Sequence, residues 1–306
     1  MLNRDLIQAM QGEIMKGSVI TLVILLAIAS CGASLFDYFA PISTSAGEYA
    51  RNLSNNQNYV FEHHAAIFGG LVSEDNNISM TYNLQEGRTY KLFVFGDEDA
   101  VDLDIKIYDE DDTELASDVS VGETAYLDFT PDQDGIYRVE AINYESEANV
   151  FLLCGIMAPG NKSNNDGELF SQAFTKMINF GLELDEDEDI DFYVDTITFS
   201  GGVIAEEESG CVYDLSFPVE ATVYVAAVGS DNATDVDIKM TRQESRGEVD
   251  TDWYADDDEE VCADSSIDDT ALAQGEVTPD DSYAVKFRNY ASEGDAFVVY
   301  FIVTED

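Results

Sequence analysis

Basic residues are scarce in this chain. Across 306 residues, 14 Lys plus Arg stand against 63 Asp plus Glu, a formal charge of −49. The clustered cations that displace counterions from a phosphate backbone are missing, which excludes nucleic acid as a partner and disfavours anionic membrane surfaces. Histidine is scarcer still: only His63 and His64 occur. A Ser-His-Asp or Cys-His triad therefore has one region from which to draw its base, and adjacent side chains in an extended chain point apart. A pair of surface histidines is the expected arrangement. The chain has no Gly-x-Ser-x-Gly elbow, no phosphate loop, no His/Cys zinc spacing and no EF-hand loop. It is read as not an enzyme. After Asp37 no long hydrophobic run remains, so there is at most one membrane segment.

What is present is a core-forming composition. Hydrophobic residues make up 45% and aromatics 11%, which excludes the low-hydrophobicity signature of disorder. The length fits roughly two domains, and the acids read as the solvated skin of a folded protein suited to a salt-rich, halophilic setting.

The segment from Gly17 to Phe36 carries no charge and follows Arg4 and Lys16. The positive-inside rule places the N-terminus in the cytoplasm and everything after Asp37 outside. Three readings of residues 1–36 stay open. Ile28-Ala29-Ser30-Cys31-Gly32 resembles the lipobox of a prokaryotic lipoprotein signal peptide, in which Cys31 is acylated after cleavage. The same run is long enough for an uncleaved transmembrane anchor. Lys16-Gly17 before an apolar helix is similar to a prepilin-peptidase site, although Leu22 stands where that pattern wants Glu. All three put the protein in the cell envelope, outside the cytoplasmic membrane and held to it.

The rest of the chain repeats. Ile78–Ile107 aligns without a gap on Cys211–Met240, with Asp102-Leu-Asp-Ile-Lys-Ile107 lying on Asp235-Val-Asp-Ile-Lys-Met240. Further on, Tyr137-Arg-Val-Glu-Ala-Ile-Asn-Tyr144 lies on Tyr283-Ala-Val-Lys-Phe-Arg-Asn-Tyr290, leaving thirteen extra residues in copy two. The Gly69-Gly70 pair matches Gly201-Gly202 one residue out of register. The expected organisation is a lead-in at 37–68, a first β-sandwich at 69–157, a linker at 158–200 and a second β-sandwich at 201–306 with an acidic insertion. Within each copy the period is two, as in Met80, Tyr82 and Leu84 against Thr81 and Asn83. The last strands, Val150–Ile156 and Ala296–Val303, are nearly all apolar. The fold class is mainly β, with two tandem antiparallel, jelly-roll-like sandwiches. One amphipathic helix is expected in the linker, where Leu169, Phe170, Ala173, Phe174, Met177 and Ile178 form a stripe; it is read as a connector packed on a sandwich face.

Asp102-Leu-Asp-Ile-Lys-Ile-Tyr108, Ala116-Ser-Asp118 and Phe129-Thr-Pro-Asp-Gln-Asp-Gly-Ile-Tyr-Arg-Val139 together resemble the bacterial pre-peptidase C-terminal (PPC) domain. Copy two keeps Asp235-Val-Asp237 and Asn289-Tyr290 but lacks the Gly before Tyr283. The resemblance implies a non-catalytic appendage, with some members binding polymers or calcium, and no catalytic residues to carry over. If calcium is bound, Asp102 and Asp104 with their counterparts Asp235 and Asp237 are the ligands of choice, helped by loop oxygens. Cys211 and Cys262 have no counterparts in copy one, so a disulfide between them would tie the insertion to the sandwich. Cys154 sits in an apolar strand and is read as buried.

The functional expectation is a membrane-anchored binding or structural protein of the cell envelope, with a protein or polysaccharide partner at the surface. The alternative is an accessory subunit of a membrane complex or a pilin-like filament subunit, self-associating through its N-terminal helix.

Overall fold

The computed structural model describes residues 34–160, 166–187, 190–243, 253 and 259–305. Cys31 and the hydrophobic run as far as residue 33 lie outside them, as do most of the acidic insertion and residues 161–165 and 188–189 of the expected linker. Among the described residues no helix is long and apolar enough to cross a membrane. Residues 35–306 form one compact unit.

The first half runs α1 (Leu35–Gln57), β1 (Tyr59–Val60), β2 (Ile67–Val72), β3 (Asn76–Leu84), β4 (Tyr90–Gly96), β5 (Ala100–Tyr108), β6 (Glu114–Asp118), β7 (Thr124–Phe129), β8 (Gly135–Ser146) and β9 (Val150–Pro159). The second half repeats this order: α2 (Asp166–Asp187), β10 (Ile190–Asp191), β11 (Phe199–Ile204), β12 (Ser209–Leu215), β13 (Ala221–Gly229), β14 (Ala233–Arg242), β15 (Glu259–Asp264), β16 (Thr270–Val277), β17 (Tyr283–Ser292) and β18 (Ala296–Glu305).

The repeat therefore starts earlier than the alignment of strands implies. The lead-in and the linker are equivalent elements of the two copies, each a helix followed by a two-residue strand that pairs with the last strand of its own half. The linker helix spans the predicted stripe and packs on sheet strands. Its counterpart α1 buries Phe36, Phe39, Ile42, Ala46, Ala50 and Leu53 at three- and four-residue spacing.

Three sheets result. Strands β16-β13-β18-β11-β2-β9-β4-β7 form one continuous sheet, and two four-stranded sheets, β3-β8-β5-β6 and β12-β17-β14-β15, lie against it. The two sandwiches thus share a sheet instead of standing as separate tandem domains. The seam is the antiparallel pairing of β2 with β11, where Phe68 faces Ser200, Ile67 faces Gly201 and Gly69 faces Phe199. Equivalent strands meet as they would across the two-fold axis of a dimer.

The inner strands of the large sheet are buried on both faces. One face packs on the helices through Phe93, Phe151, Phe199, Phe297 and Phe301. Its other face packs on the four-stranded sheets through Leu92, Val94, Leu152 and Cys154 in one half and Val223, Val225, Tyr300 and Ile302 in the other. Double burial explains why β9 and β18 read as nearly continuous apolar runs: neither face requires polar side chains.

Candidate functional site

Sharing the large sheet brings the two small sheets edge to edge. Strand β3 ends one and β12 ends the other. Between them lies a groove of about 630 Å³, lined along its walls by Asn77–Asn83 and Cys211–Leu215, at its floor by Ile197, and at one end by His63 and His64. That volume falls within the range of ligand sites, roughly 300–1,000 Å³. Met80 of β3 packs against both sandwich cores, so the floor is apolar while the walls carry Asn77, Ser79, Thr81 and Asn83.

The sequence places the two histidines by way of a glycine. The segment between β1 and β2 crosses the seam, and a Cβ on Gly202 would collide with the carbonyl oxygens of His63 and His64. Only glycine admits that approach. The imidazoles then part. His63 is half-buried, with its ring 5.1 Å from that of Tyr82, and burial lowers its pKa, keeping it neutral near pH 7. Its Nε2 has no hydrogen-bond partner among the described residues. His64 is exposed and reaches Glu208 at 3.6 Å. The expected surface pair is thus one surface histidine and one packed on tyrosine. Cys211 lines the same groove, and its Sγ donates to the carbonyl of Val212 at 3.8 Å. With Asp195 and Asp214 on the walls, the groove is negative at neutral pH.

The two edges are unequal. Residues 76–84 pair with β8 without interruption, and among the described residues no backbone hydrogen bond reaches the groove side of residues 77–83. β12 is bulged between Val212 and Leu215, with Asp214 at a φ of 57°. A bulge and an inserted charge are how natural sheets blunt an edge.

The other residues expected to act lie away from the groove. Asp102 and Asp104 of β5, and Asp235 and Asp237 of β14, occupy equivalent positions and are buried, not solvated. A turn folds over the first pair: Leu103 donates to the carbonyl of Gly122, and Asp102 Oδ1 accepts from Gly122 N–H at 3.1 Å. Burial raises the pKa of Asp104, reinforced by Asp102. In copy two, burial and then Asp235 push Asp237 up to about 6, against the pull of Arg288, which stands directly opposite it. Among the described residues no group of three or more His, Cys, Asp or Glu is arranged to hold a metal ion. Two carboxylates fall well short of the roughly 6–8 oxygens that calcium takes.

The Cys211–Cys262 bridge is not formed. These residues sit on β12 and β15, opposite edges of one sheet with β17 and β14 between them. Three strand spacings of about 4.8 Å separate them, against a limit of about 7 Å between bridged Cα atoms. Cys154 is fully buried in β9, as expected.

No protein-family model matches the chain, and no curated protein matches it. Solved structures with a similar arrangement include the pre-peptidase C-terminal domain of collagenase from Bacillus anthracis, 17% identical over 31% of this chain and 89% of that one, with a TM-score of 0.26. The N-terminal CBM22-1-CBM22-2 tandem domain of Xyn10C from Paenibacillus barcinonensis is 9% identical over 74% and 82% of the two chains, with a TM-score of 0.23. A fucose binding module from Streptococcus pneumoniae is 20% identical over 28% and 66%, with a TM-score of 0.19. At such TM-scores neither their folds nor their roles are carried over to this chain.

Proposed function

We propose that this chain is a non-catalytic binding protein of the cell envelope, held at the outer face of the cytoplasmic membrane by its N-terminal segment, and that its ligand occupies the groove between β3 and β12. The observation that carries the binding role is the groove itself: about 630 Å³, with an apolar floor, polar walls and one wall formed by an open strand edge. The non-catalytic reading rests on the sequence, which carries no nucleophile elbow, phosphate loop or His/Cys zinc spacing. The envelope location rests on the charge-free run after Lys16 and on the −49 charge that follows it. Hydrogen exchange of the full-length chain, with and without soluble surface polysaccharide or peptide, tests the groove. Slowed exchange in β3 and β12 is expected, and slowing confined to other strands would refute the assignment.

The alternative role, a subunit of a membrane complex or a filament, rests on the same N-terminal run. Mass spectrometry of the mature N-terminus separates the routes. An acylated Cys31 gives the lipoprotein, Met1 the anchored protein and Ser18 the pilin-like subunit.

A further inference from the structure

The structure's edge strands differ in one respect that bears on what the groove holds. In a chain that is 25% charged, β3 runs nine residues, Asn76-Asn-Ile-Ser-Met-Thr-Tyr-Asn-Leu84, without a charge, a proline or a bulge. The other described edge strands longer than two residues all carry acids: Glu114 and Asp118 in β6, Asp128 in β7, Asp214 in β12, Glu259, Glu260 and Asp264 in β15, and Glu276 in β16. Natural sheets protect their edges with charge, proline and bulges, because an unprotected row of N–H and C=O groups recruits another strand. Leaving only β3 bare, inside a walled groove, protects the protein from edge-to-edge aggregation while keeping the row open to a single chain.

We propose that the groove binds an extended, cationic polypeptide segment that adds to β3 as a further strand. This rests on the groove being the ligand site and names the class of ligand. Backbone pairing to residues 77–83 supplies the main attraction, as in other β-augmentation complexes. Asp195 and Asp214 on the walls, Glu208 at the rim beside His64, and a neutral His63 select for Lys or Arg on the incoming strand. The apolar floor at Met80 and Ile197 takes its alternate side chains. A second copy of this chain is disfavoured as occupant, since both copies carry the same −49 charge.

The probe is a displayed library of random linear heptapeptides, selected against the full-length chain. Selected peptides are expected to be rich in Lys and Arg and to slow hydrogen exchange in β3. N-methylation of alternate backbone nitrogens is expected to weaken a selected peptide at least tenfold in one of the two frames. Thr81→Lys should weaken it by a similar factor, whereas Ser117→Lys on β6, at the opposite edge of the same sheet, should leave binding unchanged. The proposal is overturned if no peptide is selected, or if N-methylation is neutral in both frames. It is also overturned if Thr81→Lys instead abolishes self-association of the chain, which would make a second copy the occupant. If peptides fail while a panel of neutral oligosaccharides slows exchange in β3 and β12, the groove remains the ligand site and only the peptide assignment falls. If neither slows exchange there, both readings fall.

Discussion

Asp166, the first residue of α2, is 1% exposed. One carboxylate oxygen accepts the Phe61 N–H at 2.8 Å, and the other has no hydrogen-bond partner among the described residues. Burial pushes its pKa up to about 6, the Phe61 bond pulls against this, and Asp295 adds to the rise. An acid whose folded-state pKa lies above its unfolded value binds its proton more tightly when folded. Its contribution is fully present below pH 4, is lost as pH climbs to about 6, and is constant above that. At about 1.36 kcal/mol per pH unit, the loss totals about 3 kcal/mol, of which about 1.4 falls between pH 5 and pH 7.5. That interval stays clear of the sequence pI of 4.1. Asp166→Asn removes the titration. Its own amide introduces a fixed change in stability, but the difference between variant and wild type should shift by about 1.4 kcal/mol in the variant's favour from pH 5 to pH 7.5. Urea unfolding at constant ionic strength measures it, and the other acids cancel in the difference. A difference independent of pH would refute the burial of an ionised Asp166.

The helix contact makes a paired prediction. A Cβ on Gly181 would fall inside the buried Phe36 ring, so Gly181→Ala should destabilise by about 1–3 kcal/mol despite its better helix propensity. On Gly47 the Cβ would meet Ser171 Oγ at 2.6 Å, a hydroxyl that can rotate away, so Gly47→Ala should stay within about 1 kcal/mol of wild type by urea unfolding. Reductant should leave Tm unchanged, and Cys262, whose thiol burial pushes up to about 11, should resist alkylation at pH 8 until the protein unfolds. Chelation of divalent cations should also leave Tm unchanged; a fall of several degrees would show that Asp102 and Asp104, or Asp235 and Asp237, belong to a cation site completed by further ligands.

Strand order within a half was legible because period-two alternation and turn residues act locally. Tyr82 and Leu84 point inward and Asn83 outward, as the pattern says. The linker helix was legible because its stripe is built of large residues. α1 was not, because two of its six buried stripe positions are alanines, with Pro41, Ser43, Thr44 and Ser45 interrupting the apolar pattern. The near-continuous apolar runs of β9 and β18 identified strands without saying that helices would cover them, since an apolar residue does not reveal which layer it meets. The groove was least legible. Met80 and Tyr213 line one groove only because β2 pairs with β11, and the sequence clue to that seam is two Gly-Gly pairs whose purpose is steric. The absence of charge from 76–84 was readable, but it gains meaning only once those residues are known to form an edge.

Because equivalent strands meet at the seam as they would across a two-fold axis, β3 and β12 run in opposite directions along the groove. A symmetric groove would accept an unsymmetrical ligand in either orientation with equal ease. The bulge at Asp214 breaks that equivalence, leaving one wall able to pair and the other unable to. The two walls therefore differ, and a ligand turned end for end in the groove meets a different set of contacts.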